Sequence, residues 1–146
     1  MPEIRTEIVV DAPSERCWEV LTDFARYGEW NPAIAKIEGP AELDGALALS
    51  LRVGERRLGV SVRIDVFDEG VALQWRGGAS GLPWLVDVAH FFRLEPLGEQ
   101  TRFVHGERFD GAVPWLVWPV LGRLVRPRYP VVNEAFRKRC ERTLAL

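Results

Sequence analysis

Two alternating rows of apolar residues decide the fold class, and they lie in residues 47–67, which read LALSLRVGERRLGVSVRIDVF. On both sides of the central GERR, apolar residues alternate with small, polar or charged ones. An alternation of period two is typical of half-buried β-strands, and so short a link predicts an antiparallel hairpin. A turn centred on Glu55-Arg56 would pair Leu51 with Val60 and place both apolar rows on one face of the sheet.

The next turn extends the same sheet. A turn centred on Glu69-Gly70 places Ile64 opposite Trp75 and Val66 opposite Leu73. Directly opposite residues in an antiparallel pair share a face, so Trp75 is predicted to join the apolar face of the first hairpin.

A third turn, centred on Gly98-Glu99, brings polar side chains onto that face. It pairs His90 with Glu107 and Phe92 with His105. Further strands at both ends of this region give a prediction of six or seven antiparallel strands without a βαβ crossover, which indicates an α+β fold. The segment 77–83, rich in glycine, is predicted to be a flexible loop.

The N-terminal part predicts one strand followed by helix. Residues 3–11 read as strand one, and Ala12-Pro13-Ser14 has the proline and small polar residue typical of a helix start. The helical spacing fails near Tyr27-Gly28, and 30–32 is predicted to be a turn or a short second helical piece.

The C-terminal part predicts a helix that prolines interrupt. An apolar piece is expected around residues 114–125 and a firm helix over 130–145, with Pro127 and Pro130 breaking or kinking the path between them. Residues spaced by four form the apolar side of the last helix: Val132, Phe136, Cys140 and Leu144.

Length and composition narrow the class of protein. The 146 residues suit one domain spanning 1–146, and a net charge of −2 gives no reason to expect nucleic acid as a partner. No signal-peptide pattern and no long uninterrupted apolar stretch is visible, so a cytoplasmic location is the default expectation. Cys17 and Cys140 are predicted to be buried free thiols. No nucleophile elbow, P-loop or dinucleotide fingerprint occurs, so no cofactor is expected.

The order of elements, together with several short motifs, resembles the START/Bet v 1-like superfamily, and within it the polyketide cyclase/dehydrase-type proteins. The motifs are Ala12-Pro13-Ser14 with Trp18-Glu19-Val20-Leu21, then residues 27–32, Trp75, His90-Phe91-Phe92, residues 101–111 and Asn133-Glu134-Ala135-Phe136. The resemblance covers nearly the whole chain and implies a helix-grip fold, in which a curved sheet wraps around the long C-terminal helix. It also implies a pocket between sheet and helix, without fixing a reaction.

Three ionisable side chains fall on the predicted apolar face: His90, His105 and Glu107. A buried charge is costly unless it is paired, and the predicted register offers Glu107 as the partner of His90. Two interpretations stay open: the polar end of a ligand pocket with the capacity for proton transfer, and a structural cross-strand pair. A metal site is not expected, because the sequence contains no supporting spacing motif.

The first functional hypothesis is a carrier of an apolar molecule such as a lipid, a quinone or a polyketide-like compound. Large flat rings suit such pockets, and the chain has six tryptophans. The residues predicted to contact the ligand are Trp30, Leu51, Val60, Ile64, Trp75, His90, Phe92, Phe103, His105, Glu107, Phe109 and Trp118. Trp84, Trp115 and Trp118 are placed near the pocket mouth.

Two other classes of function stay open. One is an aromatase/cyclase-like enzyme that uses His90 and Glu107, with His105, in acid–base chemistry. The other is a protein that docks on a membrane or a partner through the apolar segment 112–121, for which a place in the core or over the pocket is the favoured interpretation. Both a monomer and a homodimer are compatible with the sequence.

Overall fold

The computed structural model describes residues 2–78 and 81–144, which form a seven-stranded antiparallel sheet and its covering helices. The strands are β1 (Glu3–Val10), β2 (Ile34–Glu38), β3 (Ala46–Val53), β4 (Arg56–Asp68), β5 (Ala72–Gly78), β6 (Asp87–Leu97) and β7 (Gln100–Asp110). The helices are α1 (Ser14–Thr22), α2 (Tyr27–Trp30), α3 (Ala112–Val125) and α4 (Arg128–Leu144), with a 3₁₀ helix over Phe24–Arg26. The predicted α+β class, with two short helical pieces after the first strand, is confirmed.

The strand order β1-β7-β6-β5-β4-β3-β2 places the first two strands at opposite edges of the sheet. The chain crosses between these edges through α1, the 3₁₀ helix and α2, while every later connection within the sheet is a hairpin. This topology leaves one face of the curled sheet for the C-terminal helix.

The core lies where α4 enters the concave face of the sheet. Phe136 of α4 is fully buried and stacks on Phe103 of β7, with ring centroids 4.1 Å apart. Cys17 of α1 and Cys140 of α4 are buried free thiols in the same core, as predicted. Burying one large apolar side chain contributes about 1.5–3 kcal/mol, so these contacts account for the attachment of α4 to the sheet.

The break in the C-terminal helix is confirmed. Helix α3 ends at Val125 and α4 begins at Arg128, with Pro127 in the gap between them. Proline has no amide hydrogen and its ring clashes with the preceding turn, which favours a break or a kink there. Pro130 lies in the first turn of α4, where the missing N–H does not disturb the helix.

The first hairpin has a register two residues away from the predicted one. A two-residue turn, Gly54-Glu55, joins Val53 to Arg56, so Leu51 lies opposite Leu58 and not Val60. Gly54 has a φ of 62°, the left-handed conformation that glycine adopts at little cost, and this places the turn earlier than predicted. A shift of two preserves the faces, so the apolar rows still point the same way.

A bulge changes the second hairpin. Ile64 lies opposite Trp75 as predicted, but Val66 lies opposite Gln74 instead of Leu73 because the register shifts at Asp65. The Asp65 carboxylate accepts hydrogen bonds from Gln74 and from Arg76. An extra residue on one strand reverses the alternation after it, and Val66 therefore becomes 38% exposed.

The predicted flexible loop is only partly described by the structure. Gly77 and Gly78 extend β5 instead of starting a loop, and they pair with Val88 and Asp87 of β6. Residues 79 and 80 of the predicted loop lie outside the described residues.

Candidate functional site

A cavity of about 1410 Å³ lies between the concave face of the sheet and the region where α3 meets α4. Apolar side chains form most of the sheet wall and part of the helix wall: Leu47, Leu49, Leu51, Val60, Val62, Trp75, Phe92, Phe109, Val125 and Val132. The hairpin of β3 and β4 extends past the core, which leaves Leu58 at its tip 52% exposed. The apolar rows predicted from the sequence therefore line the cavity in the part of β3 and β4 near the hairpin. Farther from the hairpin, at Ile64, the row of β4 faces the packed core.

Eight of the twelve residues predicted to contact a ligand line this cavity. They are Leu51, Val60, Trp75, His90, Phe92, His105, Glu107 and Phe109. The remaining four are Trp30, Ile64, Phe103 and Trp118, which lie beside the cavity lining and not in it. Trp30 and Phe103 both pack against Phe136 of α4, and Trp118 packs on Phe109 from the side of α3. Ile64 is fully buried in the core.

The polar side chains converge at one end of the cavity through the hairpin of β6 and β7. The predicted register is confirmed, since His90 lies opposite Glu107 and Phe92 lies opposite His105. The Nε2 atoms of the two histidines are 2.7 Å apart. His90 Nδ1 is 3.7 Å from Glu107 Oε1, which is longer than a hydrogen bond. His90 and Glu107 are therefore the cross-strand neighbours that the register predicted, but they share no hydrogen bond, and each is hydrogen-bonded to a different partner.

The C-terminal helix supplies the hydrogen-bond partners of His105 and Glu107. Asn133 Oδ1 lies 2.7 Å from His105 Nδ1, and Asn133 Nδ2 donates to Thr6 Oγ1 at 2.8 Å. The Tyr129 hydroxyl donates to Glu107. One turn of α4 thus holds both ends of the polar cluster.

Burial sets the protonation states of this cluster. Desolvation lowers the pKa of His90 to about 3. The pKa of His105 is lowered by desolvation and, to a lesser degree, by the neighbouring His90. Desolvation raises the pKa of Glu107 to about 7, against the hydrogen bond from Tyr129, which favours the carboxylate. Near neutral pH the cluster therefore consists of two uncharged imidazoles and a carboxyl group that readily exchanges a proton.

The sequence assigned no site role to the two helix residues of the cluster, Tyr129 and Asn133, although Asn133 belongs to a motif of the resemblance. Tyr129 lies between Pro127 and Pro130, a segment that the proline pattern assigned to a break. Asn133 is 2% exposed, follows Val132 on the buried side of α4 and lies three residues before the buried Phe136. The spacing of Tyr129, Asn133 and Phe136 by four and three was the available signal, because it places all three on one helix face.

The geometry of the cluster does not suit a metal ion. Within residues 2–78 and 81–144, no group of three histidine, cysteine, aspartate or glutamate side chains is arranged to hold one. The Nε2 atoms of His90 and His105 face each other across a hydrogen bond, so these lone pairs do not converge on a common point outside the rings.

Helix α3 is mostly solvent-exposed, so a place in the core is wrong for most side chains of its apolar segment, while the alternative place over the pocket stays a prediction. Trp115 and Leu116 are 72% and 73% exposed, and Val120 and Leu124 are similar. Trp84, in the segment before β6, is also exposed. Among the described residues, no helix is both long and apolar enough to cross a membrane.

A curved antiparallel sheet that encloses a long C-terminal helix, with a cavity between them, defines a helix-grip fold of the START/Bet v 1 kind. The chain belongs to the family described as polyketide cyclase / dehydrase and lipid transport, whose model matches residues 1–144. No curated protein sequence matches this chain.

Solved structures show the same fold at low sequence identity. The Zhui aromatase/cyclase from Streptomyces sp. R1128 is 20% identical, with a TM-score of 0.79 over 97% of this chain and 94% of that one. A START superfamily protein from Mycobacterium smegmatis is 16% identical, with a TM-score of 0.73 over 97% and 98%. Norcoclaurine synthase from Thalictrum flavum, in complex with dopamine and hydroxybenzaldehyde, is 17% identical, with a TM-score of 0.68 over 93% and 84%.

Proposed function

We propose that the protein binds an apolar small molecule, such as a lipid, a quinone or a polyketide-like compound, between the sheet and α4. The observation that carries this proposal is the cavity itself, about 1410 Å³ with a mostly apolar wall and the polar cluster of His90, His105 and Glu107 in its lining. Ligand sites in proteins typically combine a concave apolar surface with a few convergent polar groups. Membership of a family described by cyclase and lipid-transport activities supports the same class of ligand.

A charged side chain in the apolar wall tests this proposal. Val60 lines the cavity, whereas Val9 on β1 is 48% exposed and lies outside it. We expect Val60→Asp to weaken the binding of a fluorescent apolar probe at least tenfold, because a carboxylate in an apolar wall must stay solvated. Val9→Asp is the matched control and should bind like the wild type. Equal binding by all three proteins, or no probe binding and no co-purified ligand in native mass spectrometry, contradicts the proposal.

Acid–base catalysis is a second candidate, and the arrangement of His90 and Glu107 favours it. Both side chains face the cavity, and Glu107 has a pKa of about 7, which suits proton transfer near neutral pH. The substrate class in this case is a polyketide-like chain that cyclises by enolisation. We expect Glu107→Gln to abolish turnover of a poly-β-ketone thioester while probe binding persists, and Glu99→Gln, on an exposed turn, to retain full turnover. Unchanged turnover in Glu107→Gln excludes this mechanism.

Docking on an anionic membrane surface is a third candidate, and the exposed face of α3 favours it. From Gly111 to Asn133 the chain has no acidic residue, and Arg123, Arg126 and Arg128 are exposed. Exposed tryptophan and leucine side chains beside such a basic segment match the chemistry of an anionic headgroup region. Val125 and Arg128 also line the cavity, so the docking surface adjoins the ligand site.

Vesicle co-sedimentation tests the docking candidate. We expect the wild type to sediment with vesicles containing phosphatidylglycerol and not with pure phosphatidylcholine. Leu116→Asp should abolish sedimentation, while Leu43→Asp, at a site 56% exposed far from α3 in the sequence, should not. Wild-type protein that stays in the supernatant, or that proves to be dimeric through this face, contradicts docking.

A further inference from the structure

We infer that Asn133, held by Thr6, fixes the proton positions of His105 and His90 so that the cavity meets a hydrogen-bond acceptor at His90 Nδ1. The site then prefers a ligand that donates a hydrogen bond there, through a hydroxyl group, over an otherwise equal ligand that only accepts. This inference rests on the proposed binding function. Asn133 acts as a positioning residue, because it does not line the cavity itself.

The first step is the orientation of the Asn133 amide. The Thr6 hydroxyl lies 2.7 Å from the backbone carbonyl oxygen of His105, and a carbonyl oxygen can only accept. The Thr6 proton is therefore committed to this bond, and Thr6 Oγ1 has only lone pairs left for Asn133. The amide must turn its NH₂ group to Thr6, which leaves Oδ1 facing His105 Nδ1 at 2.7 Å.

The second step carries this choice to the cavity. Since Asn133 Oδ1 accepts, His105 must bear its proton on Nδ1. Both imidazoles are neutral because burial lowers their pKa values, so His105 Nε2 has a lone pair. His90 Nε2, only 2.7 Å away, must then carry the proton that joins the two rings. His90 Nδ1 is left unprotonated.

The third step concerns what faces His90 Nδ1. The polar atom recorded beside it is Glu107 Oε1 at 3.7 Å, too far for a hydrogen bond. Glu107 is itself held by the Tyr129 hydroxyl. His90 and Glu107 both line the cavity, so a ligand hydroxyl that reaches this gap finds a fixed acceptor in the imidazole and a second polar partner in the carboxyl group.

Nitrogen NMR of the wild-type protein with ¹⁵N-labelled histidine tests the proton positions directly. We expect His105 to be protonated on Nδ1 and His90 on Nε2, both rings being neutral at pH 7. The opposite assignment, or a rapid average of both tautomers, overturns the inference. This experiment uses only the wild-type protein, so its outcome does not depend on the folding of a variant.

A pair of ligands in which the same oxygen atom carries either a proton or a methyl group tests the consequence. We expect the wild type to bind 1-hydroxypyrene roughly five- to tenfold more tightly than 1-methoxypyrene, the gain of about one hydrogen bond. In Asn133→Leu, His105 no longer has an acceptor at Nδ1. Both histidines then favour the other tautomer and His90 Nδ1 becomes a donor. The preference should then be lost, because the oxygen atom of either ligand can accept a hydrogen bond.

His90→Phe is the matched control, because it keeps a flat ring in place but has neither donor nor acceptor. It should bind both pyrenes with similar affinity. Equal binding of the two ligands by the wild type, or an unchanged preference in a folded Asn133→Leu, overturns the inference while the binding function stands. If neither pyrene binds any of the proteins, the proposed function fails as well.

Discussion

Glu107 is a buried carboxyl group whose pKa of about 7 has a consequence for stability. An ordinary glutamate in the unfolded chain has a pKa of 4.5, so between these values the folded protein binds a proton that the unfolded chain releases. Stability then falls as the pH rises through this window. His90 and His105 act in the opposite direction, because their pKa values are lowered and they take up protons only on unfolding. Their contribution is therefore lost as the pH falls below about 6.5.

Replacing Glu107 by glutamine separates these effects. Glutamine does not titrate, so Glu107→Gln should gain stability relative to the wild type as the pH rises from 4.5 to 7, by about 2–3 kcal/mol over the window. The loss of stability below pH 6.5 should persist in the variant, because it comes from the histidines. Urea unfolding at half-unit steps from pH 4.5 to 8 measures both trends. A constant difference between the two proteins would show that Glu107 has an ordinary pKa.

At the residue scale, the sequence predicted which strand residues meet but not how their side chains bond. A turn at Gly98-Glu99 fixes the backbone pairing of His90 with Glu107, since register follows from counting along two strands. Ring orientation depends on a third element, and here Tyr129 and Asn133 of α4 determine the hydrogen bonds. The spacing of Tyr129 and Asn133 places them on one helix face, but it does not show which strand residues they meet.

Two glycines with positive φ mark the ends of elements and differ in their surroundings. Gly111, with a φ of 102°, lies between β7 and α3, and a Cβ there would approach the Leu85 carbonyl oxygen to 2.6 Å. Gly54, with a φ of 62°, has open space around it. We expect Gly111→Ala to lower the free energy of unfolding by about 2–4 kcal/mol and Gly54→Ala to lower it by about 1 kcal/mol. Both substitutions introduce backbone strain, but only Gly111→Ala adds a steric clash. Equal losses of stability in urea unfolding would contradict the tight approach at Gly111.

Helix α3 offers a comparison between two tryptophans on one helix. Trp118 packs on Phe109, with ring centroids 5.4 Å apart, and Arg126 lies over its ring. Trp115 is 72% exposed. We expect Trp118→Ala to lower the free energy of unfolding by about 1–3 kcal/mol and Trp115→Ala to change it by less than about 0.5 kcal/mol. Thermal and urea unfolding measure both, and a larger loss for Trp115 would place it in a covered environment.

At the scale of elements, the periodicity of apolar residues predicted the strands and helices. The registers of the first two hairpins could not be predicted in this way, because they depend on Gly54 and on a bulge at Asp65. The rows of apolar residues with period two predicted the hairpin around Gly54, but the position of its turn depends on the left-handed conformation of that one glycine. The bulge at Asp65 was not predictable from alternation, because residues 58–66 alternate without interruption in the sequence. Its carboxylate is satisfied by Gln74 and Arg76 from the neighbouring strand, a tertiary contact.

At the scale of the whole molecule, the fold explains why a cavity exists. The sheet is continuous from β1 to β2, but α4 fills only part of its concave face, where Phe136 and Cys140 are fully buried. Helix α3 ends before Pro127 and packs on β7 through Trp118 and Phe109, and the cavity lies between the sheet and the region where α3 meets α4. The sequence predicted the pocket through its resemblance to helix-grip proteins, whereas the residues that line it depend on where the C-terminal helices pack against the sheet.

The most direct test of the central claim, that the cavity is a ligand site, is a set of intermolecular nuclear Overhauser effects between the protein and a bound apolar probe such as 1-hydroxypyrene. Contacts from the probe to the Trp75 ring, the Phe92 ring and the Val60 methyl groups are the expected result, because these groups line the cavity. Contacts confined to Trp115 and Leu116 on the exposed face of α3, with none to the sheet, would contradict it.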